Sequence, residues 1–204
     1  MEYSIQVKGL VKRYKELVAL NHFNIEIKKG ELLALLGPNG CGKTTAINSM
    51  LGFLTFDSGE VTVLGENKFP LSNAARREIG IVPQDLAYLN NLTVEENIDF
   101  FCGLYISDSA TRKQYVEEAI EFVELQDFRK FLPKKLSGGL KRRLNIACGI
   151  AHKPSLIFFD EPTVAVDTQS RSFILDGIRK LNEQGSTIIY TTHYLDEVDG
   201  LSDR

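Results

Sequence analysis

The sequence has few cysteines, and their placement argues against the two structures that cysteines most often build. Cys41, Cys102 and Cys148 are the three cysteines among 204 residues. Their spacing fits no metal-ligand motif, and their odd number does not fit a disulfide framework. This use of cysteine favours a protein of the reducing cytosol.

Long apolar runs and a strong excess of charge are also missing. The apolar stretches are short pieces such as LLALLG and LIFF, well below the ~20 residues of a membrane helix. The opening MEYSIQVKGLVKRY lacks the apolar region of a secretory signal. The formal net charge is -3, and the basic runs at 134–135 and 141–143 are interpreted as solvated faces, so no nucleic-acid partner is expected. Any membrane association would therefore require a partner protein.

Strand-like and helix-like segments alternate along most of the chain. YSIQVKGL and FNIEIKKGE alternate apolar and polar residues, as half-exposed antiparallel strands do. LLALLG is apolar throughout, like a parallel strand covered on both faces, and SLIFFDEP and STIIYTTH also read as strands. The pattern predicts an α/β fold with a mainly parallel sheet, an antiparallel β region at the N-terminus, and a ligand at the carboxyl ends of the strands.

The middle of the chain has helical patterns instead. TVEE is a capping-box pattern ahead of a helix, ATRKQYVEEAIEFVEL has one apolar face, and a third helix follows LSGG. We predict one domain over residues 1–204, in which 1–84 and 154–204 form the core and 85–153 form an inserted helical subdomain.

GPNGCGKTT is the most specific motif, because it fits G-x-x-x-x-G-K-[ST] in full, follows a strand and opens a helix. Its residues are Gly37, Pro38, Asn39, Gly40, Cys41, Gly42, Lys43, Thr44 and Thr45. The glycines let the backbone curl around a phosphate, Lys43 can reach the β- and γ-phosphate oxygens, and Thr44 offers a hydroxyl to magnesium. The motif predicts binding of a nucleotide with Mg²⁺.

Two acids follow the apolar strand in LIFFDEP. Asp160 is placed to hold magnesium, directly or through water, and Glu161 to orient or deprotonate an attacking water. The alternative is that both are helix-cap or surface groups. The strand carries them to the sheet edge that bears the phosphate loop, which favours the catalytic interpretation.

A second candidate anion site lies far from the first, in KKLSGGLKRRLNIA. Ser137, Gly138 and Gly139 open a helix, where unpaired N–H groups and the helix dipole favour negative charge. Taken alone, Ser137 would be an ordinary helix cap.

Five segments in order resemble the ATP-binding subunit of an ABC transporter. They are the phosphate loop, VPQ after a short strand, LSGG before a helix, LIFFDEP, and TTH after the last strand. The resemblance covers essentially the whole chain, and LSGG with LKRRLNIA, together with TTHYLDEV, is most similar to bacterial export ATPases of the drug, antibiotic and bacitracin type. It implies a P-loop NTPase (RecA-like) fold and hydrolysis of MgATP to ADP and phosphate.

The resemblance also implies roles for residues outside the phosphate loop. Tyr14 would stack on adenine with Val18 beside it, although Tyr14 would otherwise be an ordinary strand-edge tyrosine. Gln84 would contact magnesium or the lytic water and sense a membrane partner. His193 would contact the γ-phosphate and hold Glu161 and the water in register.

In ABC proteins two subunits face each other head to tail, so that each LSGG covers the γ-phosphate held by the other. Ser137 Oγ and the N–H groups of Gly138 and Gly139 would do this here, and Asp167 would both contact the partner and cap a helix. A second ATP-binding subunit and a separate permease are the implied partners, which would place the chain at the cytoplasmic face of a membrane. A soluble ABC ATPase outside transport and an ATP-sensing regulator are the alternatives.

The chain departs from the family pattern at three places. Leu140 replaces the glutamine of LSGGQ, so weaker contact with the partner's nucleotide is expected. Cys41 is either a small filler or an alkylation-sensitive thiol beside a helix N-terminus. Relatives continue beyond the final SDR with more strand and helix, so we expect either a fragment or a short natural protein.

Overall fold

The computed structural model describes residues 2–198 and Leu201. The strands in this part of the chain are β1 (Tyr3–Tyr14), β2 (Leu17–Lys28), β3 (Leu32–Leu36), β4 (Ser58–Val63), β5 (Ile79–Val82), β6 (Leu156–Asp160) and β7 (Thr187–Thr192). The α-helices are α1 (Lys43–Met50), α2 (Asn73–Arg77), α3 (Val94–Gly103), α4 (Ser109–Phe122), α5 (Gly138–Ile150), α6 (Thr168–Glu183) and α7 (Leu195–Val198).

The described residues form two sheets. The first is antiparallel with strand order β2-β1-β4, and the second is parallel with order β3-β7-β6-β5. Parallel neighbours bring their carboxyl ends to one edge, so the segments that follow β3, β5, β6 and β7 meet there. The predicted fold class, with its antiparallel N-terminal region and parallel sheet, is confirmed.

The parallel sheet is buried on both faces because its side chains alternate between two apolar clusters. On β6, Ile157 and Phe159 pack into a cluster with α3, α4, α5 and α6. Leu156 and Phe158 pack on the other face, against the antiparallel sheet and α1. All four are fully buried, which explains why the strand is apolar at the four positions that precede Asp160.

The helix boundaries follow local capping chemistry. Thr93 and Glu96 form the expected capping box: Glu96 N donates to Thr93 Oγ1 at 3.3 Å and Thr93 N donates to Glu96 Oε2 at 2.8 Å. Asp167 caps α6, whose last residue is followed closely by Gly185 in the left-handed region (φ 100°). The cap at Asp167 is the one expected from the sequence, whereas the sequence analysis does not predict α2.

None of the helices in the described part of the chain combines the length and apolar character needed to cross a bilayer. The segment after TTH forms the short helix α7, and most of the residues that follow it, including SDR, lie outside the described residues.

Candidate functional site

The phosphate loop joins β3 to α1 at the carboxyl edge of the parallel sheet. Gly37 N donates to Thr192 O at 3.3 Å, which fixes the start of the loop beside the end of β7. Gly42 has φ 100°, and a Cβ there would lie 2.6 Å from the backbone oxygen of Ala19. Glycine is therefore required at this position both by its backbone conformation and by the approach of β2.

The side chain of Lys43 folds back over this loop. It is buried, and its Nζ donates to Gly37 O at 2.6 Å and to Pro38 O at 3.2 Å. The same ammonium lies 3.2 Å from Glu161 Oε1 and forms a buried ion pair with it. One cation is thus shared between the phosphate loop and the acid that follows β6.

The two acids of LIFFDEP reach different partners. Asp160 accepts hydrogen bonds from Thr44 Oγ1 at 3.0 Å and from Thr191 Oγ1 at 2.7 Å. Glu161 N donates to the same Thr191 oxygen at 2.9 Å, so β7 orients both acids. Glu161 has φ 48°, a conformation that is uncommon outside glycine and clusters at functional sites.

His193 completes a row of side chains across Glu161. Its Nδ1 lies 3.4 Å from Glu161 Oε2, on the carboxylate oxygen that does not face Lys43. The imidazole also packs against the ring of Tyr194, with centroids 4.0 Å apart. The carboxylate of Glu161 is therefore held between an ammonium and an imidazole, out of bulk solvent.

A cleft of about 370 Å³ opens beside this row. Its lining combines the phosphate loop with β1, β2 and the segment after β5; the lining residues are Tyr14, Leu17, Ala19, Asn39, Gly40, Gly42, Lys43, Thr44, Thr45, Gln84 and Glu161. Tyr14 is 45% exposed, and Lys12 Nζ lies 5.1 Å from its ring centroid. Leu17, and not the predicted Val18, lies among these residues.

Gln84 enters the cleft from a segment that α5 holds by its backbone. Arg142 Nη1 donates to Pro83 O at 3.2 Å and to Gln84 O at 2.9 Å. Asn145 Nδ2 donates to Pro83 O at 3.1 Å, and its Oδ1 accepts from Ala87 N at 2.8 Å. Burial lowers the pKa of Arg142, whose charge is met here by carbonyl oxygens. Sequence reasoning missed both side chains.

The LSGG segment lies outside the cleft lining of this chain. Ser137 caps α5 by accepting from Leu140 N at 3.3 Å, and both Ser137 and Gly138 are exposed. Gly139 is buried against Ser170 of α6. Leu140 is half-buried and packs against the large apolar cluster.

The oxygen ligands that Mg²⁺ prefers lie together in this site. The Thr44 hydroxyl and the Asp160 carboxylate are 3.0 Å apart, and Gln84 lines the same cleft as Thr44. A hydroxyl, a carboxylate and an amide oxygen, completed by water and phosphate oxygens, form a coordination set suited to this ion. The residues present therefore fit magnesium.

Comparison with known proteins identifies this arrangement. A model of the ABC transporter family matches residues 20–164, which include the phosphate loop, LSGG and both acids. The chain belongs to the ABC transporter family. The resemblance inferred from the motifs is thus confirmed.

Relatives within the family are ATP-binding proteins. The linearmycin resistance ATP-binding protein LnrL of Bacillus subtilis is 41% identical over 200 residues, which cover 98% of this chain and 64% of LnrL. The probable multidrug ABC transporter ATP-binding protein YbhF of Escherichia coli is 36% identical over 198 residues, covering 97% of this chain and 34% of YbhF. The chain thus spans less than two thirds of the length of these relatives.

A solved structure supports the same fold. The dimeric, post-hydrolysis ATP-binding cassette MJ0796, bound to ADP and Pi, superposes with a TM-score of 0.85 at 28% identity, covering 98% of this chain and 97% of that one. That protein is a dimer with hydrolysis products bound.

Proposed function

We propose that the chain binds and hydrolyses MgATP and powers an ABC transporter, in the export direction, through ATP-driven head-to-tail dimerisation. The observation that carries the proposal is the row Lys43–Glu161–His193, with distances of 3.2 and 3.4 Å, beside the Thr44–Asp160 pair. A phosphate-binding cation, a carboxylate and an imidazole in one row beside a nucleotide-sized cleft are suited to binding a γ-phosphate and to orienting or deprotonating an attacking water.

The cleft supports ATP binding at both ends. The exposed ring of Tyr14 offers an apolar face on which adenine can stack, with Leu17 beside it in the lining and Val18 next in sequence. At the other end, the N–H groups of the phosphate loop and the start of α1 attract phosphate oxygens. Lys43 adds a point charge there, and the phosphate oxygens of a bound nucleotide would compete with Glu161 for the ammonium of Lys43.

Thr44, Asp160 and Gln84 would hold magnesium. When bound, the ion neutralises charge on the phosphates. The chain's own part is to keep Asp160 oriented, and Thr191 does this through its 2.7 Å hydrogen bond.

Glu161 would orient or deprotonate the attacking water, and His193 would contact the γ-phosphate and hold Glu161 and the water in register. The 3.4 Å approach of His193 Nδ1 to Glu161 Oε2 supports this division of roles. Burial of Glu161 strengthens its interactions with neighbouring charges, because water screens them less.

The second anion site would serve a partner's nucleotide. Ser137 and Gly138 are exposed at the start of α5, a 13-residue helix, and lie outside the cleft of their own chain. Their position therefore suits contact with a γ-phosphate held by another copy, with the N–H of Gly139 behind them. Hydrogen bonds from Ser170 lower the pKa of Asp167, which keeps this acid ionised beside the LSGG segment.

The permease partner would dock on the helical segment at residues 85–153, whose boundaries remain a prediction. Leu86, Leu89, Phe100 and Leu104 are large apolar side chains exposed in this segment, with exposures from 38% to 60%. Leu86 and Leu89 follow Gln84 closely in the chain, and Leu104 shares a cleft with Pro83, so a membrane protein docked there would lie near the segment that carries Gln84. The subunit would then work at the cytoplasmic face of the membrane.

The substitution Glu161→Gln tests the catalytic assignment. It should leave ATP binding intact, slow phosphate release by about 10²- to 10⁴-fold, and accumulate a nucleotide-bound dimer. Glu183→Gln, at the exposed end of α6, is the matched control and should behave like the wild type. Normal turnover in the Glu161→Gln chain would remove Glu161 from this role, and a wild-type chain that binds ATP without turnover would favour an ATP-sensing regulator.

A further inference from the structure

A buried carboxylate that has no assigned part in hydrolysis lies close to the residues that do. Glu197 belongs to α7, four residues after His193, and its side chain is 2% exposed. A buried carboxylate is costly unless its charge and hydrogen-bonding capacity are met, so its partners show what it organises.

Three hydroxyl groups donate to one oxygen of this carboxylate. Glu197 Oε2 accepts from Thr192 Oγ1 at 2.6 Å, from Thr163 Oγ1 at 3.1 Å, and from the hydroxyl of Tyr190. The other oxygen, Oε1, lies 3.4 Å from Arg171 Nε, which supplies the opposite charge. The carboxylate is thus a junction of β7, α6 and the segment after β6.

Two of these donors adjoin the groups that we assign to hydrolysis. Thr192 immediately precedes His193, and Thr163 follows Glu161 by two residues. The Thr192 hydroxyl is fixed further by a 3.0 Å hydrogen bond from Tyr194 N. A single carboxylate therefore joins the chain segment that carries the imidazole of His193 to the one that carries Glu161.

Arg171 adds a third connection to the same place. Its guanidinium lies 4.5 Å from the ring centroid of Tyr194, and that ring packs against His193 at 4.0 Å. The imidazole is thus supported from its own backbone through Thr192 and from its ring face through Tyr194. Both supports end at Glu197 or at its ion-pair partner.

We propose that Glu197 is a positioning residue for hydrolysis, which sets the spacing between His193 and Glu161 by binding Thr192 and Thr163 together. This inference rests on the proposed function. The Glu161–His193 contact is 3.4 Å, so a shift of one segment by a fraction of an ångström alters it. Such misplacement of reacting groups lowers turnover and leaves nucleotide binding, which depends on the phosphate loop, unchanged.

The test is a steady-state comparison of Glu197→Gln with the wild-type chain, using MgATP and phosphate release. An amide can still accept from the hydroxyls, but it loses the negative charge and presents an NH₂ group to Arg171. We expect kcat to fall at least about tenfold, with KM for MgATP and the Kd for ATP changed by less than about twofold. Glu183→Gln, an exposed glutamate in α6, is the matched control.

A role of Glu197 in stability alone is distinguished by the double variant. Loss of folded protein would lower the active fraction equally with or without Glu161. If Glu197 works through Glu161, then adding Glu197→Gln to Glu161→Gln should slow single-turnover phosphate release by less than about twofold more. Thr163→Val removes one donor with little change in shape, and should lower kcat with KM unchanged. This milder variant decides the question if Glu197→Gln does not fold.

The outcomes separate the two proposals. An active wild type with unchanged kcat in Glu197→Gln, or in Thr163→Val where the first variant is unfolded, overturns the positioning role alone. Full additivity with Glu161→Gln also overturns it. A wild-type chain without turnover overturns the proposed hydrolysis, and the positioning role with it.

Discussion

Gly138 and Gly139 are neighbours in the LSGG segment with opposite surroundings. A Cβ at Gly138 would have no heavy atom within 4 Å outside its own stretch of helix in the described part of the chain, whereas a Cβ at Gly139 would overlap Ser170 Oγ and lie 3.0 Å from Ser170 Cβ and 3.3 Å from Asp167 Oδ2. Neither glycine has a positive φ, so alanine fits the backbone at both. The pair Gly138→Ala and Gly139→Ala therefore isolates the contact between α5 and α6.

The expected change in the free energy of unfolding for Gly139→Ala follows from three effects. Moving Ser170 Oγ away breaks its 2.7 Å hydrogen bond to Asp167, worth about 1 kcal/mol. The remaining overlap with Ser170 Cβ is overpacking, which costs about 1–3 kcal/mol. Alanine returns up to about 1 kcal/mol through helix propensity. Gly139→Ala should thus lower the free energy of unfolding by about 1–3 kcal/mol, while Gly138→Ala leaves it equal or slightly higher.

Urea titration and thermal unfolding measure this difference, with a decrease in Tm of about 2–4 °C for each kcal/mol in a chain of this size. Ser170→Ala removes the hydroxyl that the new methyl would meet, so it should recover part of the loss in a double-mutant cycle. Gly138→Ala should instead keep the fold intact and weaken ATP-induced dimerisation, because its exposed methyl would disturb the proposed contact with a partner's phosphate. Equal stability of the two alanine variants would refute the assigned contact.

Two further predictions concern a buried histidine and the altered LSGG position. Burial lowers the pKa of His152, whose Nε2 hydrogen-bonds Ile79 O at 3.1 Å while Nδ1 has no partner in the described part of the chain. The unfolded chain then binds a proton near pH 6.5 and the folded chain only at lower pH, so stability should be full above about pH 6.5 and fall on acidification by up to about 1.4 kcal/mol per pH unit. His152→Gln keeps a donor for Ile79 O and should flatten the pH dependence of the unfolding free energy, measured by urea titration between pH 7 and 5. An unchanged pH dependence would contradict this. Leu140→Gln should cost about 1 kcal/mol of packing and tighten the ATP-induced dimer measured by size-exclusion chromatography, whereas an unchanged dimer would show that position 140 contributes nothing to it.

Much of the fold could be predicted because its signals are local. The capping box of Thr93 and Glu96 and the cap at Asp167 depend on residues three apart, and each is present as predicted. The apolar run of β6 also indicates directly that the strand is buried on both faces, as the structure shows. The short helix α2 lacks such a signal, since its five residues show no apolar periodicity, although Ser72 caps it through Ala75 N.

The residues that support the site could not be found in the same way. Asp160 lies opposite Thr191 in the register of β6 and β7, and that pairing joins residues 31 positions apart. Arg142 reads as one more base in a charged run, yet the packing of α5 turns it toward Gln84. Glu197 likewise reads as an exposed acid of a terminal helix. Each role depends on which distant elements meet, and no local pattern encodes that.

The fold explains how the neighbouring acids Asp160 and Glu161 can both face the phosphate loop, which the motif alone does not show. Successive side chains of a strand point to opposite faces, so two adjacent acids within β6 could not both serve the phosphate loop. Asp160 is the last residue of β6, and the left-handed backbone of Glu161 (φ 48°) ends the extended conformation there. Asp160 then contacts Thr44 while Glu161 contacts Lys43, its immediate neighbour in α1. The backbone conformation at Glu161 therefore brings both acids to the start of α1, where Asp160 would hold magnesium and Glu161 would act on the attacking water in the proposed reaction.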